Sequence, residues 1–273
     1  MNRWRAWPLA CVVATLVAAF MLPLYWMIVS SVTPDARLFE TAALIPSTIV
    51  FDHYRALFDE RNFWIPIRNS LVVALSTTLI AVPIGAMSAY ALARLRFRGK
   101  STLLALVLAV SMFPQIALVS PLFMLLRAVR LIDTFPGLVL PYLTFATPLA
   151  IWLLVGYFRQ LPPELEEAAM LDGASRVWTL VEIMAPLAAP GLATTGILTF
   201  LYCWNEFLFA LSFTLGPDRY TVPVAIALFR GQYQVPWGQI VAAAVVATMP
   251  VVAVVLVFQR RIVSGLTAGA LKG

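Results

Sequence analysis

The sequence predicts an all-α, polytopic membrane protein with six transmembrane helices. Hydrophobic residues make up 62% of the 273 residues and charged residues 12%, with a mean hydropathy of +0.89. A soluble domain has about a quarter of its residues charged. Six runs without charge can each hold the ~20 residues that cross a bilayer as a helix. They are residues 7–32, 69–93, 101–126, 134–158, 187–204 continuing past Glu206, and 231–259.

The chain is predicted to be one membrane domain, residues 1–273, because it shows no internal repeat and no soluble stretch large enough to fold alone. Arg3 and Arg5 precede the first run, as they would in a secretory signal. The run stays uncharged as far as Thr33, well beyond the ~7 to 15 residues of a signal core. We therefore expect an uncleaved anchor.

Small residues recur every fourth position in the second run, at Ala81, Gly85, Ala89 and Ala93. Such a stripe lets two helix backbones approach closely. Chance is the alternative in an alanine-rich chain, and close packing is the favoured interpretation.

The basic residues follow membrane topology, which explains the net charge of +6 without a nucleic-acid partner. The densest cluster, residues 94–100, lies in a short loop without an acid, where the positive-inside rule is most reliable. With this loop inside, both termini and residues 159–186 are predicted to lie in the cytoplasm. The longest outer segment, residues 33–68, is expected to form a small ordered cap.

Residues 159–186 predict two short helices at an angle. Pro162 and Pro163 suit the start of the first helix, since proline tolerates the first turn. Gly173 can adopt the left-handed conformation that ends a helix, and Ser175 can cap a second one over residues 176–184. The result is a knob on the cytoplasmic face.

Glu167-Ala168-Ala169, with Gly173, Ile183 and Pro186 in register, resembles the EAA loop of import permeases driven by an ATP-binding cassette. The resemblance implies a type I ABC importer permease fold. It also implies a coupling loop that docks onto a separate ATPase subunit through residues of the first helix and the turn after it: Glu167, Ala168, Ala169, Asp172 and Gly173. An ordinary amphipathic surface helix is the alternative. Ala185 departs from the family, which usually has leucine there.

Glu206 is the only acid inside a predicted span. An ionisable group at membrane depth is costly, so it faces water, a partner or a transport path. The segment Trp204-Asn205-Glu206 resembles carbohydrate permeases of the maltose type, where it lines or abuts the sugar cavity. A hydrogen bond to a neighbouring helix or to a partner permease is an equally weighted alternative.

Two further segments carry a resemblance to the maltose-type G subunit. The third outer loop, residues 213–237, turns at Gly216-Pro217-Asp218, and the resemblance implies contact with an external binding protein; a passive connector is the alternative. For the tail, residues 259–273, the resemblance implies contact with the ATPase interface through Thr267, Gly269 and Lys272. The alternative is a generic basic tail that lies near anionic lipid.

The resemblance implies a sugar importer of the inner membrane, and within this branch the chain most resembles the second permease subunit of trehalose importers. The expected partners are a homologous permease, two ATPase subunits that bind ATP and magnesium, an external substrate-binding lipoprotein, the sugar and membrane lipid. No cofactor is expected in this chain. The alternatives are a secondary transporter driven by an ion gradient, which would predict inverted repeats and embedded charge pairs, and a membrane-embedded enzyme.

The sequence offers little to an enzyme or a metal site. His53, the single histidine, has no cysteine or paired acids near it. Gly99-Lys100-Ser101 lacks the first glycine of a phosphate loop, because Arg94 stands in its place. Cys11 and Cys203 both fall in predicted spans and are expected to pack. We therefore predict neither catalytic nor metal-binding residues.

Overall fold

The computed structural model describes residues 3–39, 46, 48–229 and 235–270, with side chains between residues 8 and 259. These residues fold into helices, joined by turns and irregular segments. In chain order the α-helices are α1 Arg3–Ser31, α2 Asp52–Arg55, α3 Trp64–Arg94, α4 Lys100–Ser111, α5 Gln115–Ala128, α6 Phe135–Gln160, α7 Glu164–Leu171, α8 Arg176–Trp178, α9 Ala185–Leu187, α10 Ala189–Trp204, α11 Leu208–Phe213, α12 Val222–Ala227 and α13 Trp237–Ala270. Ala56–Glu60 and Thr179–Met184 are π-helical, and Asp35–Arg37 forms a 3₁₀ turn.

Four helical stretches of the described residues are each long and apolar enough to cross a bilayer. They are Pro8–Ser31, Trp64–Arg94, Phe135–Gln160 and Trp237–Gln259. Two bent pairs bring the number to six: Lys100–Ser111 with Gln115–Ala128, at 88°, and Arg176–Leu187 with Ala189–Trp204, at 83°. The predicted all-α fold with six spans is confirmed when each bent pair is one span.

Proline accounts for both bends. Pro114 is extended, with ψ 117°, directly before Gln115 begins α5. At the second bend Pro190 stands in the first turn of α10, where its missing N–H leaves no bond to the preceding turn.

The contacts divide the chain into two compact units: residues 1–64 with 225–250, and residues 65–224 with 251–273. In the first unit His53 is a packing residue. Its Nε2 lies 2.9 Å from the Thr33 carbonyl oxygen, and its ring fills the space beside Gly238, where a Cβ would lie 2.2 Å from the ring. No group of three metal-ligating side chains occurs among the described residues.

Within the second unit, α3 and α6 approach each other closely. Ala81 and Ala89 are fully buried, and a Cβ on Gly85 would lie 2.8 Å from the Cβ of Ala150 on α6. The small-residue stripe therefore packs, as predicted, rather than occurring by chance. Below it, toward the end of α6, Tyr90 and Phe158 meet edge to face with their ring centroids 6.0 Å apart.

This contact predicts that Gly85→Ala destabilises the protein, because the added methyl group overlaps Ala150. Overpacking of this kind typically lowers the free energy of unfolding by ~1 to 3 kcal/mol. Gly156→Ala on α6 is the matched control, since a Cβ there meets nothing within 4 Å. Thermal unfolding in detergent should show a lower midpoint for Gly85→Ala alone. Equal midpoints for the two variants would contradict the close approach of α3 and α6.

Candidate functional site

The segment predicted to be a cytoplasmic knob folds as two short helical pieces around a turn. Gly173 has a φ of +80°, the left-handed conformation that suits glycine, and its N–H donates to the Met170 carbonyl oxygen at 3.1 Å. The Ser175 Oγ then accepts the N–H of Trp178 at 3.3 Å and caps the second piece. Both local predictions are confirmed.

One side of the knob is exposed and largely apolar. Leu171, at its tip, is 89% exposed. Five further apolar side chains of the two helical pieces are exposed: Leu165, Met170, Val177, Trp178 and Val181. Glu167, Ala168 and Asp172 are exposed beside them. An apolar patch with a charged rim is typical of a protein-binding surface.

Ala169 differs from the other residues predicted for docking. It is 4% exposed, so it packs inside this chain and presents no surface to a partner. The small side chain of Ala169 lets α7 pack closely against the rest of this chain. The small side chain of Ala168 is exposed and would let a partner approach the helix closely. Of the two alanines of the motif, one is exposed and the other is buried.

Glu166 ties the knob to the end of α3. Its Oε1 accepts the Tyr90 hydroxyl at 2.7 Å, and its Oε2 lies 4.0 Å from the Arg94 Nε. Arg94 Nη2 also donates to the Leu161 carbonyl oxygen, just before α7. The sequence predicts none of these contacts, since Arg94 counts there only as one of the basic residues of the short loop at residues 94–100. The one local signal was the four-residue spacing of Tyr90 and Arg94, which places them on the same face of α3.

A second attachment lies in the π-helical segment Thr179–Met184. Leu180 and Met184 are buried in the core formed by α3 and α6, together with Leu154 and Phe158. Interiors are close-packed, so a displacement of this segment is passed to both helices. The knob thus has an exposed outer side and an inner side locked to two membrane spans.

Glu206 does not lie in a continuous helix. The prediction that the fifth span continues past Glu206 is wrong: α10 ends at Trp204, and α11 begins at Leu208. The buried carboxylate accepts the N–H of Phe209 at 2.7 Å and the N–H of Ala210 at 3.1 Å. Glu206 therefore satisfies the free donors at the start of α11, which would otherwise be stranded in an apolar setting.

The three predicted path residues lie in different surroundings: Trp204, Asn205 and Glu206. Trp204 is buried and stacks on Phe200, with ring centroids 5.8 Å apart. Asn205 is exposed, and its Nδ2 donates to the Leu201 carbonyl oxygen at 2.8 Å. The structure therefore does not gather these three predicted path residues into one site. Of the two interpretations of Glu206, its bonds favour the structural one.

The turn at Gly216-Pro217-Asp218 is held on the second unit. The Asn69 Nδ2 donates to the carbonyl oxygens of Asp218, at 2.9 Å, and Tyr220, at 3.0 Å. Leu215, just before the turn, donates its N–H to Asp133 at 2.9 Å, while its side chain is 68% exposed. The loop is thus fixed at its base and exposes the apolar side chain of Leu215, which was not among the predicted contact residues. Residues 230–234 of this loop lie outside the described residues.

The tail continues α13 as far as Ala270. Thr267 and Gly269 fall where side chains are not described, and Lys272 lies outside the described residues. Their predicted contact with the ATPase interface stays a prediction.

Comparison with known proteins decides the family. Residues 81–267 match the model of the family described as "binding-protein-dependent transport system inner membrane component". The chain belongs to this family. It is thus a non-catalytic membrane component of a transport system, as the sequence predicted, and the family places it in the inner membrane.

Individual relatives cover almost the whole chain. It is 49% identical over 265 residues to the trehalose transport system permease protein SugB of Mycobacterium tuberculosis, covering 96% of each chain. It is 43% identical over 256 residues to the trehalose/maltose transport system permease protein MalG of Thermococcus litoralis, covering 93% of this chain and 92% of that one. The ion-driven alternative finds no support among them.

A solved structure shows the same fold. The chain aligns with a chain of a bacterial ABC transporter involved in the import of alginate, at a TM-score of 0.77 and 24% identity, over 95% of this chain and 98% of that one. The predicted type I ABC importer permease fold is confirmed. An inward-facing MetNI methionine ABC transporter aligns at a TM-score of 0.58 over 76% of this chain and 98% of that one.

The geometry of Glu206 predicts that Glu206→Leu destabilises the protein more than Glu206→Gln. Leucine strands both N–H donors of α11, at ~1 to 3 kcal/mol for each group, whereas glutamine keeps one acceptor oxygen. Asn205→Leu is the control, because its side chain is exposed and caps no helix start. Thermal unfolding in detergent should rank Glu206→Leu lowest. If the unfolding midpoint of Glu206→Leu equals that of the wild type, the bonds of the carboxylate to α11 do not stabilise the protein.

Proposed function

We propose that this chain is a permease subunit of an ATP-driven importer for a disaccharide of the trehalose type. It pairs with a homologous permease, two ATPase subunits that hold ATP and magnesium, and an external substrate-binding lipoprotein. The relatives named for trehalose and maltose transport support the sugar class, because they match over more than nine-tenths of their length. The family description supports a binding protein.

The observation that carries the mechanism is the knob formed by α7 and the segment after it. Its outer side presents Glu167 and the exposed Leu171, whereas its inner side is bonded to Tyr90 and packed through Met184. Such an element can transmit motion. A partner that binds the outer side of the knob displaces it, and the inner contacts of the knob then displace α3 and α6. We propose Glu167, Ala168, Asp172 and Gly173 as the docking part, with Ala169 supporting it from within.

The proposed orientation places the knob, the basic loop at residues 94–100 and both termini in the cytoplasm. Arg94 belongs to that loop. Its ion pair with Glu166 and its hydrogen bond to the Leu161 carbonyl oxygen support placing loop and knob on the same side. The turn at Gly216-Pro217-Asp218 then faces outward. Leu215 is the side chain of that turn best suited to contact the binding protein.

The direct test of this function is sugar uptake by the reconstituted complex. Vesicles that contain both permeases and both ATPase subunits should accumulate labelled trehalose only with internal ATP and external loaded binding protein. An imposed proton or sodium gradient should not replace ATP. Uptake driven by the gradient alone would overturn the proposal, and ATP-driven uptake of another disaccharide instead would correct the sugar.

The coupling role predicts that Gly173→Pro abolishes uptake and releases the ATPase from the membrane. Proline requires φ near −65° and lacks an N–H, so it destroys the turn between the two pieces of the knob. Gly99→Pro is a matched control, since Gly99 has a φ of +85° and open space around it in another loop. ATPase co-purification at equal permease levels separates the two. Equal loss in both variants would assign the defect to folding.

The outer loop predicts a different phenotype for Leu215→Glu. A charge on this exposed apolar side chain should weaken contact with the binding protein and leave the knob intact. ATP hydrolysis stimulated by loaded binding protein should fall several-fold, while ATPase co-purification stays at the wild-type level. Full stimulation would show that the loop is a passive connector.

A further inference from the structure

A polar cavity of the second unit lies between the end of α3 and the knob. Its volume is about 390 Å³, within the ~300 to 1,000 Å³ of small-molecule sites. Five of the nine residues that line it are charged, and the remaining four are apolar. The charged ones are Arg94, Arg96, Glu166, Glu167 and Arg176. Such a lining favours a charged or polar occupant, because an apolar one would leave these groups without partners.

The sign of the lining charge favours an anion. Three arginines and two glutamates give the lining a formal charge of +1. Glu166 is already committed, since it accepts the Tyr90 hydroxyl at 2.7 Å and pairs with Arg94 at 4.0 Å. Arg96 and Arg176 are exposed, and neither forms an ion pair with a side chain that the structure describes. A ligand with one negative charge would therefore balance the lining.

Arg94 contributes a buried donor that lacks an acceptor. Its side chain is 10% exposed, and its Nε is buried without a hydrogen bond to any described residue. The Glu166 Oε2 lies 4.0 Å from this nitrogen, beyond hydrogen-bond distance. A buried donor without an acceptor costs free energy. The guanidinium group matches the geometry of a phosphate or carboxylate, so an oxygen of a bound anion would satisfy the Nε.

The cavity lies where a membrane span ends. The span α3 ends at Arg94, and residues 95–99 connect it to α4, which begins the next span. Arg96, Phe97 and Arg98 of this connection are exposed. An aromatic ring between two basic side chains suits the boundary between lipid and water, where the phosphate groups of phospholipids lie. A phospholipid phosphodiester therefore reaches this depth, and it carries the single negative charge that the lining balances.

We propose that this cavity binds the phosphate group of an anionic phospholipid. The phosphate oxygens accept hydrogen bonds from the Nε of Arg94 and from the guanidinium groups of Arg96 and Arg176. Basic pockets beside membrane helices are suited to anionic headgroups. The site goes beyond the proposed function and depends on it only for the leaflet, which the proposed orientation makes the cytoplasmic one.

A bound lipid would join both pieces of the knob to α3. Arg94 ends α3 and Arg96 follows it, whereas Arg176 begins α8 after the turn at Gly173. One phosphate bonded to all three arginines bridges segments that are distant in the sequence. Anionic lipid thus holds the knob against α3 and makes its movement sensitive to the composition of the leaflet.

The site is tested by lipid binding to the purified complete complex in uncharged detergent. The probe is a short-chain phosphatidylglycerol, and native mass spectrometry counts the bound lipid. Arg96→Gln and Arg176→Gln should each weaken binding about fivefold, as expected for one basic residue beside anionic lipid. Both arginines are exposed, so neither variant should disturb folding. Arg96→Lys should keep most of the affinity, because it keeps the charge.

Arg98→Gln is the matched control, because Arg98 is an exposed arginine of the same connection that does not line the cavity. It should bind the lipid as the wild type does. Equal weakening in Arg98→Gln and the two cavity variants would overturn the site and assign binding to general attraction by the basic loop. Unchanged affinity in both cavity variants would overturn it too. Neither outcome involves sugar uptake, so ATP-driven uptake would still uphold the proposed function.

Two further probes identify the source of the phosphate. Inorganic phosphate should displace the lipid only at far higher concentration, because it gains nothing from the membrane. Phosphatidylcholine of the same chain length should bind more weakly, since its ammonium group cancels the charge of its phosphate. Displacement by inorganic phosphate at the concentration of the lipid would assign the cavity to a soluble anion and overturn the proposal. Equal binding of phosphatidylcholine would overturn it as well, because the charge of the lining would then select nothing.

Discussion

The close contact between α3 and α6 is the constraint on which the rest of the second unit depends. It requires glycine at position 85, because any Cβ there would overlap Ala150. In a bilayer, helices associate mainly through packing, since lipid chains are as apolar as the side chains. Small residues at this contact therefore determine how near the two spans lie. That distance in turn places Tyr90 and Phe158, which hold the knob.

The same contact gives α6 two distinct faces. Ala146, Ala150, Leu154 and Phe158 are fully buried at four-residue spacing. Trp152, Gly156 and Arg159 are exposed on the other side of the helix. A movement of the knob reaches the first face through Leu180 and Met184. Because the helix is rigid, it displaces the second face as well. The packing of Leu180 and Met184 thus connects the knob physically to α6.

Polar residues within the spans divide into two groups by their partners. Glu206 satisfies backbone donors of α11, which accounts for its presence at membrane depth without any contact with sugar. Gln115 and Tyr202 bond to each other across a cavity and keep further hydrogen-bonding capacity. The single acid of the predicted spans is therefore bonded within this chain, as the structural interpretation of Glu206 expects. The uncharged residues, which attract less attention, line the cavity.

The sequence by itself determined the helical class, the spans and the local geometry of the knob. Hydropathy and length are properties of a continuous segment, and Gly173 and Ser175 act within a few residues of their own positions. Only the tertiary structure decided the contacts of Glu166, Glu206 and Gln115. Glu166 meets Tyr90 across 76 residues and Gln115 meets Tyr202 across 87. Ala168 and Ala169 are adjacent and chemically identical, yet one is exposed and the other buried. Composition and spacing do not specify such pairings, because they arise from how distant helices pack.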